Sequence, residues 1–100
     1  MDNYTVKLYP RACRDLDDIY DYLSGHLLEP GAALGTVDAL EQAILSLEML
    51  PERGAPRRRG AYANGGYRQL FVKNYVVLYR VQKEKREVWV VTVRYAPSQF

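Results

Sequence analysis

Seven cations in the second half of the chain have types and spacing that could do chemistry. Arg57, Arg58 and Arg59 stand together in "APRRRGAYANGG", and Arg68, Lys73, Arg80 and Arg94 follow at wider intervals. Tyrosines are interleaved with them: Tyr62, Tyr67, Tyr75, Tyr79 and Tyr95. Guanidinium groups contact phosphates and carboxylates in a fixed fork, and they pair with aromatic faces. Such a set can bind a polyanion, or stabilise the charge that develops on a phosphate under attack. The same residues also suit the solvated edges of a sheet with Tyr75 and Tyr79 in its core.

Other chemistry is poorly served. His26 is the single histidine, and no partner for acid–base work is identifiable beside it. Cys13, the single cysteine, lies between Arg11 and Arg14, but Asp15 and Asp17 offset their charge. One histidine and one cysteine leave only carboxylates for a metal, so no metal site is expected. "GAYANGG" leads into a strand rather than a helix N-terminus, so it is not a phosphate loop, and no cofactor is expected.

The charge is divided along the chain. Residues 1–50 carry 3 Lys/Arg against 9 Asp/Glu, and residues 51–100 carry 11 against 3. A basic half attracts nucleic acid or an acidic protein. The 100 residues suit one domain spanning 1–100. No apolar run approaches the ~20 residues of a membrane span, and the opening "MDNYTVKLYP" lacks the apolar core of a signal peptide. A cytoplasmic chain with no membrane partner is expected.

The elements that must position the cations are legible from periodicity. "YTVKLY" alternates and predicts a strand over Tyr4–Tyr9, which Pro10 ends. Leu16, Ile19, Tyr20, Leu23 and Leu27 predict a helix over Arg11–Leu28, with four aspartates in its first half. Ala33, Val37, Leu40, Ile44 and Leu47 predict a second helix over Gly31–Leu50, in which Gly35 costs roughly 1 kcal/mol relative to alanine. Residues 51–66 have no period and predict a flexible loop. Three strands follow, the first two joined by a tight turn at Lys73-Asn74, with Asn supplying the left-handed conformation. The order is β-α-α-β-β-β, an α+β domain with a helical hairpin packed on a small antiparallel sheet.

This order, with "YPRACRDLDDIYDYL", "AILSLEMLPERG", "GYRQLFVKNYVVLYRV" and "VWVVTVRYAPSQF", resembles the RelE/ParE superfamily of toxins from type II toxin–antitoxin systems. The long hairpin and "LPERG" look more like the ParE branch. The resemblance implies a toxin neutralised by a cognate antitoxin that wraps it with a helix and an extended strand. ParE-like members poison DNA gyrase; RelE-like members cleave mRNA on the ribosome. Arg68 matches one basic position of the RelE-like site. Its next two basic positions fall on Leu70 and Val76, the site also takes an arginine and a tyrosine near the C-terminus, and the histidine that related ribonucleases place after "RY" falls on Ala96. In ParE-like chains a glycine and two basic residues follow the tyrosine, where this chain has Ala96, Pro97 and Ser98.

The expectation is a ParE-like toxin that binds a macromolecular target such as DNA gyrase. Arg57, Arg58, Arg59, Arg68 and Lys73 are the expected target-binding residues. The alternatives are an mRNA endoribonuclease acting on translating ribosomes, with Arg68, Arg80, Arg94 and Tyr95 as candidate catalytic residues, or an inactive antitoxin-binding remnant.

Overall fold

The computed structural model describes residues 3–26 and 30–97. Strand β1 (Thr5–Leu8) leads into helix α1 (Pro10–His26) and helix α2 (Pro30–Leu45), then a short 3-10 turn at Ser46–Glu48. Strands β2 (Ala55–Pro56), β3 (Tyr67–Val72), β4 (Tyr75–Gln82) and β5 (Glu87–Tyr95) complete it. The sheet order is β1-β5-β4-β3-β2.

Pro10 opens α1, where its missing N–H breaks no helical bond, and the Cys13 amide closes the first turn on the Tyr9 carbonyl at 3.2 Å. The first turn holds no acid, so the aspartates do not sit at the positive helix end as the sequence suggests. Ala12 and Ile19 are buried, with Leu16 and Leu23 packed beside them, while Tyr20 is 39% exposed and leaves the expected stripe. Leu27 and Leu28 lie outside the described residues.

On α2 the expected stripe holds: Ala33, Leu40, Ile44 and Leu47 are buried, with Val37 half-buried. The α-helix itself ends earlier than its period. Ser46 donates its hydroxyl back to the Ala43 carbonyl at 2.5 Å, and the chain tightens into the 3-10 turn that still delivers Leu47 to the core.

The sheet is mixed rather than antiparallel, because β1 runs parallel to β5 with Val6 opposite Val88. Alternation marks a strand but not its neighbour. The helical hairpin carries the chain over the sheet, and the three later strands then meander back until the last lies beside the first. The loop read over 51–66 also contributes β2, with Ala55 opposite Gln69.

Register assigns every strand residue to a face. Leu70, Tyr75, Val77, Tyr79, Val88, Val90 and Val93 join Ala12, Ile19, Leu40, Ile44 and Leu47 in one core beneath the helices. Tyr67, Gln69, Phe71, Val76, Leu78, Arg80 and Trp89 point to the opposite face. The register shifts between Leu78 and Tyr79, so that Thr92 opposes Leu78 and Val90 opposes Tyr79. Val91 is the extra residue of this bulge, which bends β5 where β1 has ended.

The two-residue turn between β3 and β4 takes its left-handed residue at Lys73 (φ 53°), not at Asn74. Asn74 serves instead through its carbonyl, which accepts the Ala96 amide at 2.8 Å.

Candidate target-binding surface

The expected site residues divide into two groups at opposite ends of β4. Tyr75 and Arg80 bracket this divide, and five steps along the strand separate them by about 17 Å.

At the first end lie Arg57, Arg58, Arg59, Arg68 and Arg80. A cleft of about 330 Å³ is lined by Pro56, Arg57, Arg58, Asn64, Gly66, Tyr67 and Arg68. The loop that carries the three arginines is not the loose segment its glycines suggest. The Arg57 amide donates to the Tyr67 carbonyl at 2.8 Å, and the Asn64 amide to the Arg57 carbonyl at 2.9 Å. Arg57 also donates Nε to the Ala61 carbonyl at 3.1 Å and Nη1 to Gln69 Oε1 at 3.0 Å. Tyr62 packs its ring edge-on against Tyr67 at 5.1 Å. Arg58 and Arg59 remain exposed beside this frame.

Arg68 faces the helical side of β3, not the open side. Its Nε donates to the Gly54 carbonyl at 2.9 Å and its Nη2 to the Glu52 carbonyl at 3.2 Å. The Gly54 amide donates to the buried Tyr79 hydroxyl at 2.9 Å. Arg68 and Tyr79 thereby clamp the segment that follows the helical hairpin onto the sheet.

Burial pushes the Tyr79 phenol above its ordinary pKa, against the opposing pull of the Gly54 amide and Arg68. The unfolded chain then ionises first. This stabilising contribution is complete below about pH 10 and is lost as pH rises through the folded value. Tyr79→Phe is expected to lose about 1–3 kcal/mol near neutral pH by leaving the Gly54 amide unpaired. It is also expected to fall less steeply than the parent above pH 10 in denaturant melts. An unchanged alkaline slope would show that Tyr79 is not the group responsible.

Arg80 belongs to a row that crosses four strands on the open face: Lys7, Trp89, Arg80 and Tyr67 are successive register partners. Lys7 lies 5.3 Å from the Trp89 ring centre and Arg80 5.3 Å from that of Tyr67. Lys7 also pairs with Glu87 at 2.9 Å, and this bond, with the Trp89 indole donating to the same carboxylate, holds the Glu87 pKa down. Lys7 and Trp89 were not among the expected residues. Only cross-strand register makes them neighbours of Arg80.

At the second end, Lys73, Arg94 and Tyr95 line a cleft of about 660 Å³ between α1 and the sheet. Its walls include Asp15, Asp18, Ile19, Tyr22, Tyr75 and Val93. Tyr95 is 50% exposed and meets Tyr75 edge-on at 5.7 Å. Burial raises the Tyr75 pKa, with Tyr95 and Tyr22 adding to the rise. Arg94 donates Nε to the Thr92 hydroxyl at 3.1 Å. Tyr22, Tyr75 and Tyr95 thus wall this cleft, and Lys73 and Arg94 bring two cations to its lining.

Two of the positions that depart from the cleaving pattern, Leu70 and Val76, are structural. Leu70 is a core residue at 9% exposure, and Val76 is buried at 2% on the opposite face. Ala96 follows β5, and Ser98 lies outside the described residues. Among the described residues, no group of three or more His, Cys, Asp or Glu could hold a metal ion, and no helix is long and apolar enough to cross a membrane.

Comparison with known proteins gives a consistent pattern. Residues 6–99 match the family model described as the ParE toxin of the type II toxin–antitoxin system parDE. No curated protein is similar enough to match. A chain of the chromosomal ParDE toxin–antitoxin system from P. aeruginosa superposes with a TM-score of 0.76 at 24% identity, covering 95% of this chain and 98% of that one. A chain of the RelBE2 toxin–antitoxin complex from Mycobacterium tuberculosis gives 0.64 at 30% identity, covering 95% and 93%. A chain of the intact E. coli RelBE complex gives 0.62 at 18% identity, covering 95% and 99%.

Proposed function

For a chain that belongs to the ParE toxin family of type II toxin–antitoxin systems, we propose growth inhibition by binding a macromolecular target, DNA gyrase, with relief by a cognate antitoxin. The observation that carries the choice of binding over cleavage is the burial of Leu70 and Val76. RNA cleavage by relatives of the RelE type calls for cations at these positions. Here aliphatic side chains fill them, and an ammonium in their place would have to leave water.

The two cation groups take different parts in this reading. Arg57, Arg58, Arg59 and Arg80 supply a long-range positive field that speeds encounter with an acidic partner surface. Arg68 shapes that end by holding the carbonyls of Glu52 and Gly54. Lys73, Arg94 and Tyr95 make the closer contact at the tyrosine-walled cleft. The location that goes with these proposed partners is the cytoplasm.

The test is expression of the chain alone and with the small protein encoded beside it, followed by gyrase supercoiling with purified chain. The expected results are growth arrest alone, growth with the partner, and loss of supercoiling. Growth arrest with unaffected gyrase and cut mRNA would replace this target by the ribosome.

A further inference from the structure

Strand β5 outruns its neighbour. Strand β1 ends at Leu8, opposite Val90, so among the described residues the edge of β5 beyond that point has no strand partner. Such an edge leaves backbone donors to be satisfied by other means. Asp15 reaches across from α1 to do so, and its carboxylate accepts the Val93 amide at 3.0 Å. The same carboxylate oxygen accepts the hydroxyl of Thr92, the fully buried polar residue at the β5 bulge.

A threonine hydroxyl has one proton and two lone pairs. With the proton committed to Asp15, the oxygen facing the rest of the site can only accept. The donor that meets it is Arg94 Nε, at 3.1 Å. A guanidinium is planar, so fixing Nε constrains the orientation of the whole fork. Register puts Arg94 beside Val76 on the face away from the helices, and from this edge of β5 it still lines the cleft that also holds Lys73, Tyr75 and Tyr95.

We propose that Asp15 and Thr92 are positioning residues for Arg94, and that Asp15 orients the Thr92 hydroxyl so that the guanidinium is preset for partner contact at this cleft. The inference rests on the toxin reading above and adds to it the device that prepares one of its contact residues. Preset geometry matters because each mobile side chain ordered on binding subtracts from affinity.

Thr92→Val keeps the β-branched shape but removes the hydroxyl, and Thr92→Ser keeps the hydroxyl. Two readouts separate the device from the toxin reading. The first is the side-chain Nε–H resonance of Arg94 in 15N-labelled protein, which requires no target. It is expected to be protected from exchange in the parent and in Thr92→Ser, and to be lost in Thr92→Val. The second is the inducer level for half-maximal growth inhibition, normalised to folded protein. It is expected to rise about tenfold for Thr92→Val and for Arg94→Ala, with no further rise in the double variant and recovery in Thr92→Ser.

A protected Arg94 resonance in Thr92→Val would overturn the relay. Loss of the resonance with inhibition equal to the parent would overturn its role in binding while leaving the toxin reading intact. Absence of inhibition by the parent itself would overturn the toxin reading and the contact role with it, while the Arg94 resonance alone would still decide the relay. A purely structural Thr92 would lower thermal stability and leave inhibition per folded molecule unchanged.

Discussion

Gly54→Ala is expected to destabilise the protein by about 2–3 kcal/mol, the upper range for forcing extra volume into a packed site. For a domain this size that is roughly 10–20 °C in Tm. A Cβ at residue 54 would stand 2.5 Å from the Gln69 carbonyl oxygen and 2.7 Å from the Tyr79 hydroxyl. The first of these is backbone in a paired strand, so it cannot swing aside. Relief would require the segment to lift away from β3. That movement would pull the Gly54 amide from Tyr79 and the Gly54 carbonyl from Arg68, undoing the clamp at both ends. Gly35→Ala on α2 is the matched control. Among the described residues nothing beyond its own helix backbone and chain neighbours lies within 4 Å of a Cβ there, so the substitution is expected to stabilise by about 0.5–1 kcal/mol through helix propensity and a less flexible unfolded chain. Thermal and urea melts of the two variants should therefore move in opposite directions. A Gly54→Ala protein melting with the parent would show that the close approach is not rigid.

Leu70→Lys is expected to cost about 3–5 kcal/mol, the range seen when a charge is left buried without a partner. It is expected to confer no RNA cleavage. The substitution puts a cation where the RelE-like pattern has one, which makes it the direct attempt to restore a cleaving site. Leu70 lies in the core with Leu40, Ile44, Leu47, Val77 and Tyr79. Arg68, one step along the same face, escapes this problem because it lies near the strand end and finds the carbonyls of Gly54 and Glu52. At position 70 the described residues offer the ammonium no carboxylate in the surrounding core. The measurements are a melt and a cleavage assay with translating ribosomes. A stable Leu70→Lys protein that cuts mRNA would restore the endoribonuclease reading and remove the main support for binding without chemistry.

The residues that a sequence reader can place are those whose role is set by their own neighbours in the chain. The strand period around Val77 and Tyr79, the α2 stripe ending at Leu47, and Pro10 at the start of α1 all act over a few residues. Alternation of apolar and polar side chains therefore predicts them. The boundaries were less legible. The 3-10 turn at Ser46–Glu48 continues the apolar period of α2 while changing its hydrogen bonds, and periodicity does not register that change.

The cations show the same division. Their number and their concentration in the second half were evident by inspection, as was the absence of cation side chains at Leu70 and Val76. Their grouping was not. Arg68 and Arg80 are near in the chain, yet opposite faces of the sheet separate them, because their strands pair with Tyr67 opposite Arg80. Lys73 and Arg94 are far apart in the chain and share one cleft. Asp15 reads as one of four acids on a helix face, but its partners are 77 and 78 residues away.

By itself, then, the sequence determined the kinds of element, their order, the family resemblance and the stock of charged groups. These follow from local periodicity and from side-chain chemistry that each residue carries wherever it sits. The tertiary structure alone decided that β1 lies parallel to β5, that Gly54 must lack a side chain, and which cations face which cleft. Those depend on strand register and on close contacts between distant segments. A one-residue slip of register would send every side chain of a strand to the other face.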